Sequence, residues 1–249
     1  MRPVFVDVPV LCGHRGSGSG MVGGELENTL GSYRAAVAAG LRWVEVDARI
    51  NADSVLVASH DPVVADGRVI AELPTAETDA LGLMRVADLL EELPPEVAVD
   101  IDVKTSLEDA SRDRSATTAA LVAGLAAAER ARRRVLVTSF DPAALLIVRE
   151  RAPELPAGLL TWTRFPLRKA IPAAVHLGLD VVVAHVDSFA EEARAGRAVA
   201  AAHAAGLQVG AWCPDREQAP LLVAAGVDCL IVDAPAAQGG FGAAPTARG

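Results

Sequence analysis

The sequence predicts an α/β protein built as a (β/α)8 TIM barrel, with a β-hairpin extension after the second strand. Three observations carry that reading. Nine short β-branched runs recur along the 249 residues, Ala/Leu/Glu/Arg-rich stretches of helical character separate most of them, and one run follows its predecessor too closely for a crossover. Alternating β and α segments read as βα units around a parallel sheet. A length of 249 residues fits two small domains or one barrel. No Pro/Ser linker or composition shift divides the chain, so 1–249 is read as one domain with 235–249 as an Ala/Gly/Pro-rich tail.

The runs are Val10–His14, Trp43–Ile50, Val55–His60, Val97–Val103, Val135–Ser139, Gly158–Trp162, Asp180–His185, Gln208–Trp212 and Cys229–Asp233. Only Asn51-Ala52-Asp53-Ser54 separates Ile50 from Val55, fewer residues than a parallel crossover needs. Val55–His60 therefore reads as the returning limb of a hairpin. A loop centred between 52 and 53 sets Glu45 opposite His60. The other eight strands have helical segments between them: Leu30–Ala39, Ala80–Leu93, Ala116–Arg133, Pro142–Arg151, Leu167–Leu177, Phe189–Ala205 and Gln218–Ala225.

Composition narrows the function. With 23 Lys and Arg against 32 Asp and Glu, the formal charge of −9 disfavours nucleic-acid and anionic-membrane binding. An anionic substrate would need a cation to mediate its approach. Three scattered cysteines without CxxC spacing suit a reducing, cytoplasmic setting. No secretory h-region and no run of 18 apolar residues is visible, so no stable membrane association is expected.

Two strands break the apolar habit of barrel strands. In Trp43–Ala48 the even positions are apolar while Glu45 and Asp47 share the other face, and in Val97–Lys104 that face carries Asp100, Asp102 and Lys104. With helices covering the outside, these faces point inward, where clustered carboxylates repel unless a proton or cation intervenes. Glu45, Asp47 and Asp102 offer oxygen ligands alone, a set that favours Mg²⁺ or Ca²⁺ over zinc.

His14, in Gly-His-Arg-Gly, and His60, in Ser-His-Asp-Pro, end strands at the same expected mouth. Paired imidazoles suit acid–base chemistry, one taking a proton from an attacking oxygen and the other giving one to a leaving oxygen. Arg15 adds a fork able to grip a phosphate or carboxylate. His176 and His203 fall in helical stretches, and His185 ends the seventh run. Gly16–Gly20, with Gly23-Gly24, lacks a following Gly-Lys-Ser/Thr and reads as a mobile active-site loop, not a nucleotide cradle.

The ordered set His14-Arg15-Gly16, Glu27-Asn28-Thr29, Glu45-Val46-Asp47, His60-Asp61, Asp102-Val103-Lys104, Ser139-Phe140, Trp212-Cys213 and Val232-Asp233-Ala234-Pro235 resembles the glycerophosphodiester phosphodiesterases, among the phospholipase-C-like TIM barrels. The resemblance covers nearly the whole chain. It implies a metal site at Glu45, Asp47 and Asp102, a His14/His60 acid–base pair, and phosphate contacts from Arg15 and Lys104. It also implies the reaction: hydrolysis of a small glycerophosphodiester to glycerol 3-phosphate and an alcohol, through attack by the glycerol 2-hydroxyl and opening of a cyclic phosphate by water. Phe140 and Trp212 either pack against the substrate's apolar side or belong to the barrel core. Asp102 and Cys213 stand where the family usually has Glu and Thr, and the segment after His60 is short. The alternatives are a lysophospholipase-D-like or sphingomyelinase-D-like action on lipid diesters, or an inactive barrel that binds a phosphometabolite; a binding barrel has no use for paired imidazoles.

Overall fold

A computed structural model describes residues 3–190 and 195–235. Along the chain run β1 (Val10–Gly13), β2 (Met21–Val22), β3 (Glu25–Leu26), α1 (Leu30–Ala38), β4 (Trp43–Ile50), β5 (Leu56–Ala58), α2 (Thr75–Ala80), α3 (Val86–Glu92), β6 (Ala98–Val103), α4 (Thr118–Glu129) and β7 (Val135–Ser139). Then follow α5 (Pro142–Arg151), β8 (Ala157–Thr161), α6 (Leu167–His176), β9 (Val181–His185), α7 (Val186–Ala190), α8 (Ala195–Ala204), β10 (Gln208–Trp212), α9 (Gln218–Ala224) and β11 (Cys229–Val232). Eight parallel strands close into a barrel, because β1 pairs with β11 on one side and β4 on the other. This is the (β/α)8 fold. The surplus strand β5 lies antiparallel on β4, as the short loop requires.

Side-chain alternation sorts the barrel into two cores. Outward residues of β4 and β6, among them Val44, Val46, Val99 and Ile101, pack under Tyr33, Leu89 and Leu90. Inward residues Cys12, Trp43, Ala98, Leu136, Val181 and Ile231 fill the lower barrel. Phe5 plugs the floor edge-on to Trp43, with ring centroids 5.1 Å apart, and Gln208 clamps its backbone N–H and carbonyl at 2.8 and 3.0 Å. The acidic layers sit above this apolar floor. Among the described residues no helix is long and apolar enough to cross a membrane.

The hairpin register departs from the expected one. Ile50 pairs with Leu56 and Ala48 with Ala58, one residue away from the arrangement that would set Glu45 opposite His60. The cause is the loop. Asn51 N–H donates to Val55 O, so the loop proper is Ala52–Ser54, with Ser54 left-handed at φ 63° and the Asn51 amide oxygen accepting from Asp53 and Val55 N–H. His60 lies beyond the end of β5.

The expected helix Ala80–Leu93 forms only over Val86–Glu92 (α3); α2 ends at Ala80, Gly82 follows at φ 76°, and Met84 O accepts from Ala58 N–H across the edge of β5. The helix over Ala116–Arg133 is shorter, at Thr118–Glu129. The stretch Phe189–Ala205 holds α7 and α8, with 191–194 outside the described residues, as is most of the tail, 236–249.

Arg133 is buried after α4, where its guanidinium pairs with Glu129 at 2.9 Å and donates to the carbonyls of Leu90, Leu93, Pro94 and Val97. It satisfies the C-terminal end of α3 and the turn into β6. Arg133→Ala strands these groups and is expected to cost about 3 kcal/mol of stability. Urea unfolding checks this; a loss under about 1 kcal/mol rules out the role.

Candidate active site

Strand register stacks the carboxylates. On parallel β4 and β6, Glu45 pairs with Asp100 and Asp47 with Asp102, so all four face the barrel interior in two adjacent layers. All four are buried. Oxygens of Glu45, Asp47 and Asp102 lie within 4.8 Å of one another.

The surroundings neutralise this charge unevenly. Lys104 Nζ reaches Asp47 Oδ1 at 3.0 Å and also pairs with Asp102. Arg15 Nε lies 3.2 Å from Asp47 Oδ2, which also accepts from Asn28 Nδ2 at 2.8 Å. These cations and the amide outweigh burial and hold Asp47 below the ordinary carboxylate range. Glu45 is pushed well up, first by burial and then by the charges of Asp47 and Asp102. Asp102 is raised by burial and by Asp47, against the pull of Lys104. Burial lifts Asp100 to about 8, although Thr138 Oγ1 donates to it at 2.8 Å.

Two buried oxygens, Glu45 Oε1 and Asp102 Oδ1, have no hydrogen-bond partner. Orphaned acceptors, excess negative charge and an all-oxygen donor set together fit a hard divalent cation.

His14 is aimed by backbone geometry. A Cβ on Gly13 would lie 2.1 Å from Gly16 O, and one on Gly16, at φ 94°, would lie 2.5 Å from Ser32 Oγ. Only glycine allows this tight turn around His14-Arg15. His14 Nδ1 lies 2.9 Å from Asp233 Oδ1. Asp233 is held low: burial raises it, but the His14 contact, Ser19 N–H and the Cys213 thiol outweigh that. An ionised carboxylate only accepts, so Nδ1 carries the proton and Nε2 is left as the ring's acceptor.

His60 repeats the arrangement, with Nδ1 2.8 Å from Asp61 Oδ1. Arg49 donates from Nε and Nη2 to His60 O at 2.9 and 2.6 Å and fixes its backbone. Both histidines line one cavity of about 370 Å³ with Arg15, Glu45, Asp102 and Lys104.

The opposite wall is aromatic. Phe140 stacks on Trp162 with centroids 4.4 Å apart and meets Trp212 edge-on at 5.9 Å, while Lys104 Nζ lies 5.4 Å from the Phe140 centroid. Trp212 is fixed by its Nε1–H to Thr161 O at 3.2 Å and by a T-shaped contact with His185, ring centroids 4.3 Å apart. Burial lowers His185, whose Nδ1 accepts from Asp187 N–H; it buttresses Trp212. His203 pairs with Asp228 through Nε2, at 2.8 Å. The glycine-rich loop is tied down: Ser17 is buried with its N–H on Ser32 Oγ, and Ser19 and Gly20 N–H donate to Asp233 and Glu27.

All nine residues singled out in the sequence converge here except that Asp47 lies behind the cavity wall, paired to Arg15 and Lys104. Arg15 and Lys104 act as counterions to the carboxylates, and Arg15 also binds Glu27 at 3.0 Å. Sequence reasoning passed over Asp233, Asp61, Asn28, Arg49 and Trp162 as site residues. His60-Asp61 adjacency was a readable signal for Asp61; Asp233 lies 219 positions from its partner.

Carboxylate-backed imidazoles beside a cation-fitted acidic set, at the C-terminal mouth of a (β/α)8 barrel, mark an enzyme of phosphoryl chemistry. The chain belongs to the glycerophosphoryl diester phosphodiesterase family, whose model matches residues 14–237. It is accordingly a phosphoric diester hydrolase. None of the curated proteins compared matches it. Among solved structures, a Silicibacter pomeroyi DSS-3 protein provisionally assigned as a glycerophosphoryl diester phosphodiesterase is similar at 24% identity, with 94% of each chain covered and a TM-score of 0.79. An Oleispira antarctica phosphodiesterase in complex with the product sn-glycerol-3-phosphate shares 23% identity over 91% of this chain and 94% of that one, TM-score 0.73. A Thermotoga maritima glycerophosphodiester phosphodiesterase shares 20% identity over 91% and 95%, TM-score 0.72.

If Asp233 holds the His14 tautomer, Asp233→Asn is expected to lower kcat roughly 10²–10⁴-fold with the melting temperature little changed. Steady-state kinetics on glycerophosphocholine check this, and a full-rate variant removes Asp233 from the mechanism.

Proposed function

We propose that this chain acts as one domain, in a reducing compartment such as the cytoplasm, hydrolysing small glycerophosphodiesters to sn-glycerol 3-phosphate and an alcohol by metal-dependent His14/His60 catalysis. The observation that supports this best is the cavity in which two imidazoles, each with Nδ1 engaged by a carboxylate, meet two unpartnered buried carboxylate oxygens. Glu45, Asp47 and Asp102 would hold Mg²⁺ or Ca²⁺. Such an ion supplies charge neutralisation for the diester and acidifies a hydroxyl in its reach.

The chain's own groups account for proton movement. One histidine takes the proton of the glycerol 2-hydroxyl through Nε2 as the new O–P bond forms. The other gives a proton to the departing alcohol oxygen as the old P–O bond breaks. The protonation states are then reversed, and the pair can activate water to open the cyclic phosphate. Lys104 and Arg15 offset negative charge around the phosphate, and Phe140 and Trp212 offer an apolar wall for the carbon skeleton.

Release of glycerol 3-phosphate from glycerophosphocholine and glycerophosphoethanolamine, with added Mg²⁺ or Ca²⁺, tests the reading. EDTA is expected to abolish turnover, and His14→Ala and His60→Ala to cost about 10²–10⁴-fold in kcat each. Full activity in chelator rejects the metal role; a full-rate variant rejects that histidine.

One observation favours a lipid diester as a second reading. Met21, Leu107 and Trp162, on segments following β1, β6 and β8, are 66, 85 and 65% exposed. These segments rim the mouth, where an acyl chain would lie. Turnover of lysophosphatidylcholine above that of glycerophosphocholine, weakened by Trp162→Ala, would establish it; no turnover of the lysolipid excludes it.

A further inference from the structure

Cys213 is a residue near the mouth that the proton-transfer scheme leaves unused. It follows β10 in the left-handed region, at φ 55°, with its N–H bonded to Ile231 O at 3.0 Å. Residues with a Cβ adopt that conformation rarely. Here it brings Sγ to 3.8 Å from His14 Nδ1 and 3.7 Å from Asp233 Oδ2. Nδ1 and Asp233 Oδ1 are 2.9 Å apart, and one donor atom from each of the three residues falls within 4.8 Å of the others. Donor atoms around a tetrahedral zinc, with bonds of about 2.0–2.3 Å, lie about 3.3–3.6 Å apart. The observed separations straddle that span.

We propose that His14 Nδ1, Cys213 Sγ and Asp233 form a second cation site, selective for thiophilic ions such as Zn²⁺ and Cd²⁺, whose occupation switches off His14. The donor chemistry separates it from the carboxylate site: imidazole plus thiolate prefers Zn²⁺ to Mg²⁺ or Ca²⁺, while Glu45, Asp47 and Asp102 offer oxygen alone. Asp233 is partly exposed, so the site opens to solvent. Three protein donors leave a fourth position for water.

Binding exchanges protons for metal bonds. The ion takes the Nδ1 position of the neutral His14 ring, whose single proton moves through solvent to Nε2, and it displaces the thiol proton of Cys213, which passes to solvent as the one net proton released. With Nδ1 on the metal and Nε2 protonated, the ring has no lone pair with which to accept another proton. Burial and the charge of Asp233 push the free thiol up to about 12, so in the uncomplexed protein Cys213 stays protonated and is a poor nucleophile.

The inhibitory half rests on the proposed role of His14; the binding half does not. Metal-stripped full-length protein, returned to excess Mg²⁺, is titrated with Cd²⁺ while the ultraviolet cadmium–thiolate charge-transfer band and glycerol 3-phosphate release are followed together. The wild type is expected to develop a band saturating at one Cd²⁺ per chain, with turnover falling in step. Cys213→Thr is expected to show no band and to need roughly tenfold or more Cd²⁺ for half-inhibition; Cys213→Ser serves if the threonine variant does not fold. No band in the wild type, or an equal band in the variant from Cys12 or Cys229, overturns the site. A band with unchanged turnover overturns the switch. If the wild type has no turnover in Mg²⁺, the proposed reaction fails while the absorption titration still decides the site.

Discussion

The burial of like charge on the inner face of β4 and β6 is the constraint around which this molecule is arranged. Glu45, Asp47, Asp100 and Asp102 share two layers of a closed barrel, where desolvation alone makes each anion costly. The neighbours respond to that cost. Lys104 and Arg15 lie against Asp47, Asn28 donates to it from the left-handed start of α1, and Thr138 donates to Asp100. What protein groups do not satisfy, Glu45 Oε1 and Asp102 Oδ1, is the charge that the proposed cation would neutralise.

Around this acidic centre the barrel divides its labour by height. The floor is hydrophobic and sealed by Phe5 over Trp43. The middle holds carboxylates. The mouth holds the imidazoles and aromatic rings, carried by segments free to diverge because strand pairing below does not depend on them. The Asp that orients each histidine comes from a different source: the chain neighbour for His60, the end of the last strand for His14.

Much of this was legible in the sequence because it is local. The alternation Trp43-Val44-Glu45-Val46-Asp47 states which side chains face inward, and the four-residue gap after Ile50 states that β5 must return. Eight barrel strands fall within a residue or two of their expected bounds. The hairpin register was not legible, because it depends on Ser54 adopting a left-handed backbone and Asn51 bonding across the loop, neither of which the apolar pattern encodes. Asp233 and Trp162 were missed for another reason: their meaning lies in partners far along the chain. Cys213 could be noticed only as a departure from a motif; its proximity to His14 is a product of closure.

The seam between β1 and β11 has one more effect. His14 and Asp233 sit on the two strands that meet last along the sequence, so the hydrogen bond that orients the imidazole spans almost the whole polypeptide. Without β11 the chain carries Glu45, Asp47, Asp100 and Asp102 but lacks the carboxylate that holds His14. Pairing of β1 with β11 and placement of that imidazole are therefore one event: the bond that closes the ring also sets the side chain.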